Sequence, residues 1–176
     1  MVSAGKNGTI YLVDRDNMGR YNGSTDQIVQ SIVNIFTKVT GIEGGNFGSP
    51  VYFNGNVYFG PVSDNIQSFQ LSNGLLSNSP TSRTSASYAQ RGATMAVSAN
   101  GNANGILWSL ESNGTTTPGV LHAYDAGNLA NELYNSEQVV VRDSLDAWFK
   151  FTVPTVVNGN VYITSVNQLS GYGLLP

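Results

Sequence analysis

The sequence predicts an all-β fold, a partial β-propeller of roughly three and a half four-stranded blades, and three observations lead there. Only 11% of the 176 residues are charged, against roughly 25% in an ordinary soluble domain. Polarity comes instead from Gly and Asn, with 20 of each, and both tolerate the positive φ that tight hairpins demand. Finally, the chain repeats itself, and a repeat of blade length is the signature of a propeller.

The repeat sets the register. Residues 49–60, SPVYFNGNVYFG, return at 153–164 as VPTVVNGNVYIT, with Pro50 matching Pro154 and Asn54-Gly55 matching Asn158-Gly159 at a spacing of 104 residues. A looser copy, ATMAVSANGNANGILWSLES at 93–112, places Asn100-Gly101 between them. In each copy two runs of β-forming residues flank Asn-Gly, the pair that favours a type I′ turn, so each predicts a hairpin. A third strand is expected at NIQSFQL (65–71), GVLHAYDA (119–126) and QLSGYGLL (168–175), and a more variable fourth around Leu75–Ser82 and Glu132–Val141.

The N-terminal residues fit the same register. Residues 3–17 read as the end of a second strand, a turn at Asn7-Gly8, and a third strand. The chain is therefore divided into a partial first blade (1–47), two blades (48–91 and 92–147) and a last blade lacking its outermost strand (148–176). Residues 24–39 carry Ile28, Ile32, Val33 and Phe36 at helical spacing, with Ser24 or Asp26 as an N-cap. Their β-branched content and the repeat register favour an outer strand. A short helix is also expected near Asp143–Phe149.

Composition excludes several function classes. Net charge is −3 with no basic stripe to meet phosphates, which argues against nucleic acid. No apolar run has the roughly 18–20 residues of a membrane helix. Cys is absent, which removes disulfides, thiolate nucleophiles and Cys-zinc sites. Residues 1–15 lack a signal-peptide pattern. The triplets at Asn7, Asn22 and Asn113 match the glycosylation acceptor pattern but read as incidental.

The blade pattern SP-V-x-x-NG-x-VY-x-G, followed by Tyr124-Asp125-Ala126, resembles the pyrroloquinoline-quinone-type, or quinoprotein-like, β-propeller repeat. Segments such as KNGTIYLVDRDNMG and HAYDAGNLANELYNS are similar to the C-terminal portion of long bacterial secreted propellers. That resemblance implies a secreted or cell-surface parent protein. Quinone-dependent members hold the quinone with calcium in a central funnel and carry Trp docking motifs of the form AxDxxTGxxxW. Here neither Trp108 nor Trp148 follows that motif, and Asp125-Ala126-Gly127-Asn128 keeps only a fragment of it. No quinone cofactor is therefore expected, and fold alone does not carry function.

The candidate sites are weighed one by one. His122, the single histidine, is a candidate general base with Asp125 close in sequence. Strand alternation points the two to opposite faces, so a structural histidine bonding between blades is preferred. One histidine and no GxSxG motif give no serine triad. Glu111, Asp125, Glu132 and Asp143 are acids of one region, with nothing to select a glycosidase pair. Asp14, Asp16 and Asn17 offer calcium-type oxygens, but a solvated turn is the plainer reading. Asp64-Asn65 reads as a backbone-capping turn. Among the many aromatics, Trp108, Trp148 and Tyr88 are the candidates to stack on a ligand ring.

A non-catalytic binding or interaction module is the preferred function, with a carbohydrate or protein ligand on the loop face or in the funnel. An enzyme, either a hydrolase or a remnant oxidoreductase around His122, is the alternative, and a structural repeat of a longer surface protein the third. Unpaired blade edges template further pairing, so a homo-oligomer is expected to close a ring of about seven blades.

Overall fold

The computed structural model of the protein describes residues 1–36, 45–89, 91–111, 117–147 and 151–174. It is all-β, with four antiparallel sheets that follow one another along the chain. The first holds β1 (Val2–Ala4), β2 (Ile10–Leu12) and β3 (Gln30–Ile32). The second holds β4 (Val51–Phe53), β5 (Asn56–Phe59), β6 (Asp64–Ser72), β7 (Leu75–Leu76) and β8 (Ser82–Tyr88). The third runs β9 (Thr94–Asn100), β10 (Ala103–Glu111), β11 (Val120–Asp125) and β12 (Asn128–Asn135). A single helical turn, α1 (Val140–Asp143), precedes the fourth: β13 (Thr155–Val157), β14 (Asn160–Thr164) and β15 (Leu169–Tyr172).

Turn chemistry makes the hairpins. Asn54-Gly55 and Asn158-Gly159 both take positive φ (44° and 82°, 50° and 77°), as type I′ turns require. Asn73-Gly74 does the same between β6 and β7. The hairpin expected at Asn100-Gly101 is shifted by one residue. Asn100 is the last strand residue and pairs Ala103, so the loop is Gly101-Asn102, with Gly101 at φ 60°. The register then shifts between Ala103 and Ile106, and Asn104 absorbs the irregularity at φ 53°. At Asn7-Gly8 only Gly8 is at positive φ (73°). Asn7 instead accepts the Thr9 N–H on its side-chain oxygen, in a wider loop.

Successive sheets pack face to face. Ile10 and Ile32 of the first sheet meet Val57, Phe59 and Phe69 of the second. Tyr58, Ile66 and Tyr88 of the second meet Leu107, Tyr124 and Leu129 of the third. Leu110 and Leu121 of the third meet Val161 and Ile163 of the fourth. Alternation explains this double use of one strand: on β10, Leu107 and Leu110 stand an odd number of residues apart in a continuous register and so face opposite neighbours. Polar links cross the same seams. The Gln30 amide bonds the Leu76 backbone in both directions (2.8 and 2.9 Å), and the Tyr58 hydroxyl donates to the Ala126 carbonyl at 2.7 Å.

Among the described residues the sheets differ from a uniform four-stranded repeat, with three, five, four and three strands. Among the described residues they share no ladder, so no closed barrel forms. In the second sheet the fourth run is split. Leu75–Leu76 is a short strand, while Ser82–Tyr88 makes the main pairing on the same edge of β6. In the third, that strand starts at Asn128, four residues before Glu132, and the end of the expected run is α1. Of residues 24–39, Gln30–Ile32 form strand and 33–34 a turn; residues 37–39 lie outside the described residues. Edge pairing with β2 overrides the helical spacing, and Ile28 and Val33 are left exposed. Of the helix expected near Asp143–Phe149, only Asp143 lies in α1, Ser144 returns to extended backbone, and residues 148–149 lie outside the described residues.

Candidate functional site

The hairpin ends of the second and third sheets enclose a cleft of about 400 Å³. The β4–β5 turn supplies Phe53 and Asn54, the β9–β10 hairpin supplies Asn102, Asn104, Gly105 and Ile106, and the β11–β12 turn supplies Asp125 and Gly127. Asn54 donates to the Asn102 carbonyl at 3.3 Å, joining the two hairpin tips. The Phe53 ring lies against Gly105 so closely that a Cβ there would run into it. Asp125 accepts the Gly127 N–H at 2.8 Å, which shapes the third turn. Both ladders around the cleft carry bulges, at Ala103–Ile106 and at Ala123–Asp125, and bulges re-aim side chains at binding sites. The lining thus combines neutral amides, one carboxylate and an apolar floor of Phe53, Ile106 and Leu133. Such a surface can hydrogen-bond a neutral polar ligand from several directions.

A second constellation lies inside the same seam. His122 on β11 is 6% exposed. Its Nδ1 meets Glu132 Oε1 at 2.6 Å and its Nε2 meets Glu111 Oε2 at 3.3 Å. The imidazole stacks on Tyr124 (5.8 Å between centroids, 13° between planes) and meets the Tyr88 ring edge-on at 5.7 Å. The Tyr88 hydroxyl reaches Ser109 Oγ at 2.7 Å and donates to the Tyr124 hydroxyl at 3.2 Å. Burial alone would lower the histidine's pKa, but bonds to the two glutamates and their charges outweigh it and raise it above 6.5. Burial pushes the Tyr124 hydroxyl up to about 12 and Tyr88 well above its ordinary value. Both phenols are neutral here.

The predicted site residues within the described segments each have a definite place. His122 and Asp125 do not meet: the carboxylate of Asp125 caps its own turn, while His122 pairs the glutamates. The bonds His122 makes to side chains stay within the third sheet, and its cross-sheet contact is the Tyr88 ring. Tyr88, expected near a loop end, is fully buried, so its ring is not presented to an outside ligand. Trp108 packs on the core between the third and fourth sheets, with its indole N–H on Ser98 Oγ at 2.8 Å. Trp148 and Asn113 lie outside the described residues.

The remaining acids make turns and ties. Asp14 accepts the Asp16 N–H at 2.9 Å, and Asp16 pairs Arg15 on an exposed loop. Asp64 Oδ1 accepts the Asn65 N–H at 2.8 Å, and Asn65 in turn caps the Ala86 carbonyl. Asp143 accepts from Nε and Nη2 of Arg142, and these bonds hold its carboxyl below the usual 3.8. Its backbone carbonyl accepts the Tyr172 hydroxyl at 2.8 Å, tying α1 to the fourth sheet.

Sequence reasoning named Glu111 and Glu132 only as acids of one region and did not select them as the partners of His122. Glu111 was within reach of the pattern, since it follows Ser109 by two residues and Ser109 pairs His122. Glu132 was not, because the bulges in the β11–β12 ladder reset which residues face inward. The Asn102–Asn104 lining was equally hidden behind the one-residue shift of its hairpin. A search with the sequence finds no matching family model and no matching curated protein.

Proposed function

We propose that the chain is a non-catalytic binding module built on a partial, quinoprotein-like β-propeller. It takes a neutral, hydroxyl-rich ligand such as a carbohydrate segment in the cleft between the second and third sheets. The observation that carries this reading is the separation of the two constellations. The open cleft is lined by amides with a single carboxylate, whereas the histidine is buried and spends both ring nitrogens on carboxylates. Amides and an apolar floor suit hydroxyls and sugar ring faces. A general base needs reach to a substrate proton, and His122 sits under two tyrosine rings.

The four sheets then stand as blades of an open arc. The outward face of the last sheet carries Val157, Tyr162 and Leu169, with Leu169 65% exposed. The outward face of the first presents a row of Ser3, Tyr11 and Ser31 in register. Repeats bury such faces against neighbours, so two copies arranged head to tail are the simplest closed ring. By the same resemblance the parent protein works outside the cell or on its surface, without quinone.

Binding is tested on a glycan array followed by titration calorimetry. Asn102→Ala, an exposed loop substitution, should weaken any array-positive ligand about 5–10-fold, the worth of one hydrogen bond. Unchanged affinity in Asn102→Ala and in the cleft-filling Asn102→Trp would displace the site. Turnover of a bound glycan that vanishes in His122→Ala would replace the binding module with an enzyme.

A further inference from the structure

We propose that His122, Glu111 and Glu132 form a pH-sensitive latch on the seam between the second and third sheets, closed when the imidazole is protonated and loosened when it is neutral. The chemistry is set by donor count. An imidazolium has two N–H donors and no acceptor, so it satisfies one carboxylate at each ring nitrogen. The two observed contacts, Nδ1 to Glu132 and Nε2 to Glu111, use both. A neutral imidazole keeps one N–H. The shorter contact, to Glu132, retains it, and the lone pair on Nε2 then faces a Glu111 oxygen at 3.3 Å. That arrangement is repulsive, and one carboxylate must leave.

The latch joins three strands. Glu111 comes from β10, His122 from β11 and Glu132 from β12. The other titratable groups facing it are Tyr124 from β11 itself and Tyr88 from β8 across the seam. Both phenols titrate far above neutrality, so they stay neutral while the histidine changes. Among the described residues neither glutamate is paired to a Lys or Arg. Once the imidazolium charge is lost, no ion pair among the described residues compensates the two carboxylates. Glu132 is also the tie that holds edge strand β12 where its ladder is bulged, and β12 packs against β8 of the second sheet. The seam is therefore expected to loosen there first.

The chain has one histidine, so its ring can be titrated without assignment by long-range proton–nitrogen NMR of the full protein. The expected midpoint lies above 6.5, with both ring nitrogens protonated below it. Amide exchange in β12 should speed up through the same midpoint, while exchange in β14 of the fourth sheet should not. In Glu111→Gln the midpoint should fall toward the ordinary value of about 6.5. A wild-type midpoint at or below 6.5, a midpoint unmoved in Glu111→Gln, or β12 exchange indifferent to the titration would each overturn the latch. Should Glu111→Gln fail to fold, Glu132→Gln provides the same comparison on the exposed edge of the cluster.

Discussion

At the scale of single residues, the seam between the second and third sheets depends on polar groups that have no water to fall back on. Ser109 and Tyr88 are both fully buried and bond each other at 2.7 Å. Tyr88→Phe removes that partner and leaves a buried hydroxyl unmatched, which should cost about 1–2 kcal/mol in denaturant unfolding. Tyr124→Phe leaves the Ser109 bond intact and should cost less. Two ionisable groups also give stability opposite pH dependences. The folded pKa of His122 is raised, so its contribution is fully present below about 6.5 and lost as pH rises through the folded value. The carboxyl of Asp143 is lowered, so its contribution is present above 3.8 and lost as pH falls through the folded value. Thermal melts of His122→Gln should lose the decline on the alkaline side and keep the one on the acid side. Arg142→Ala should steepen neither flank and should weaken only the acid one.

At the scale of elements, the hairpins were the legible part of the sequence. Asn54-Gly55 and Asn158-Gly159 form turns where their dipeptides predict them, because Asn and Gly accept φ of 44–82° that other residues resist. The runs at 65–71, 119–126 and 168–175 likewise hold β6, β11 and β15. What escaped was set by pairing rather than propensity. The one-residue shift at Gly101-Asn102 follows from the bulge beyond it, and β7 is split from β8 at residues 77–81, where the Ser77 hydroxyl donates to the Ser79 carbonyl and accepts the Gln70 N–H. Glycine substitutions separate the two kinds of constraint. Gly159→Ala meets no atom within 4 Å but sits at φ 77°, and should cost about 1–2 kcal/mol from backbone strain alone. Gly105→Ala lacks that strain but drives a methyl into the Phe53 ring, so it should deform the cleft as well as destabilise the fold. A loss of ligand affinity in Gly105→Ala without one in Gly159→Ala is the expected pattern, checked by calorimetry beside unfolding curves.

At the scale of the whole molecule, four sheets follow one another along the chain and join through three separate cores. The all-β class was readable from the turn residues and the β-forming runs between them, whereas the strand number of each sheet was not. The candidate site was readable only in outline, because the sequence named His122, Asp125 and the nearby acids without saying which ones meet. Cross-sheet contacts such as Tyr88 to Ser109 join residues whose spacing carries no local pattern. The most direct measurement is the solution mass of the intact chain by light scattering over a range of concentrations. One chain is 18.7 kDa, and closure of the arc by a second copy predicts a particle of twice that mass. Substituting Leu169→Lys on the exposed end face should return it to one chain without unfolding. A well-folded particle of single-chain mass at every concentration would contradict the closed ring.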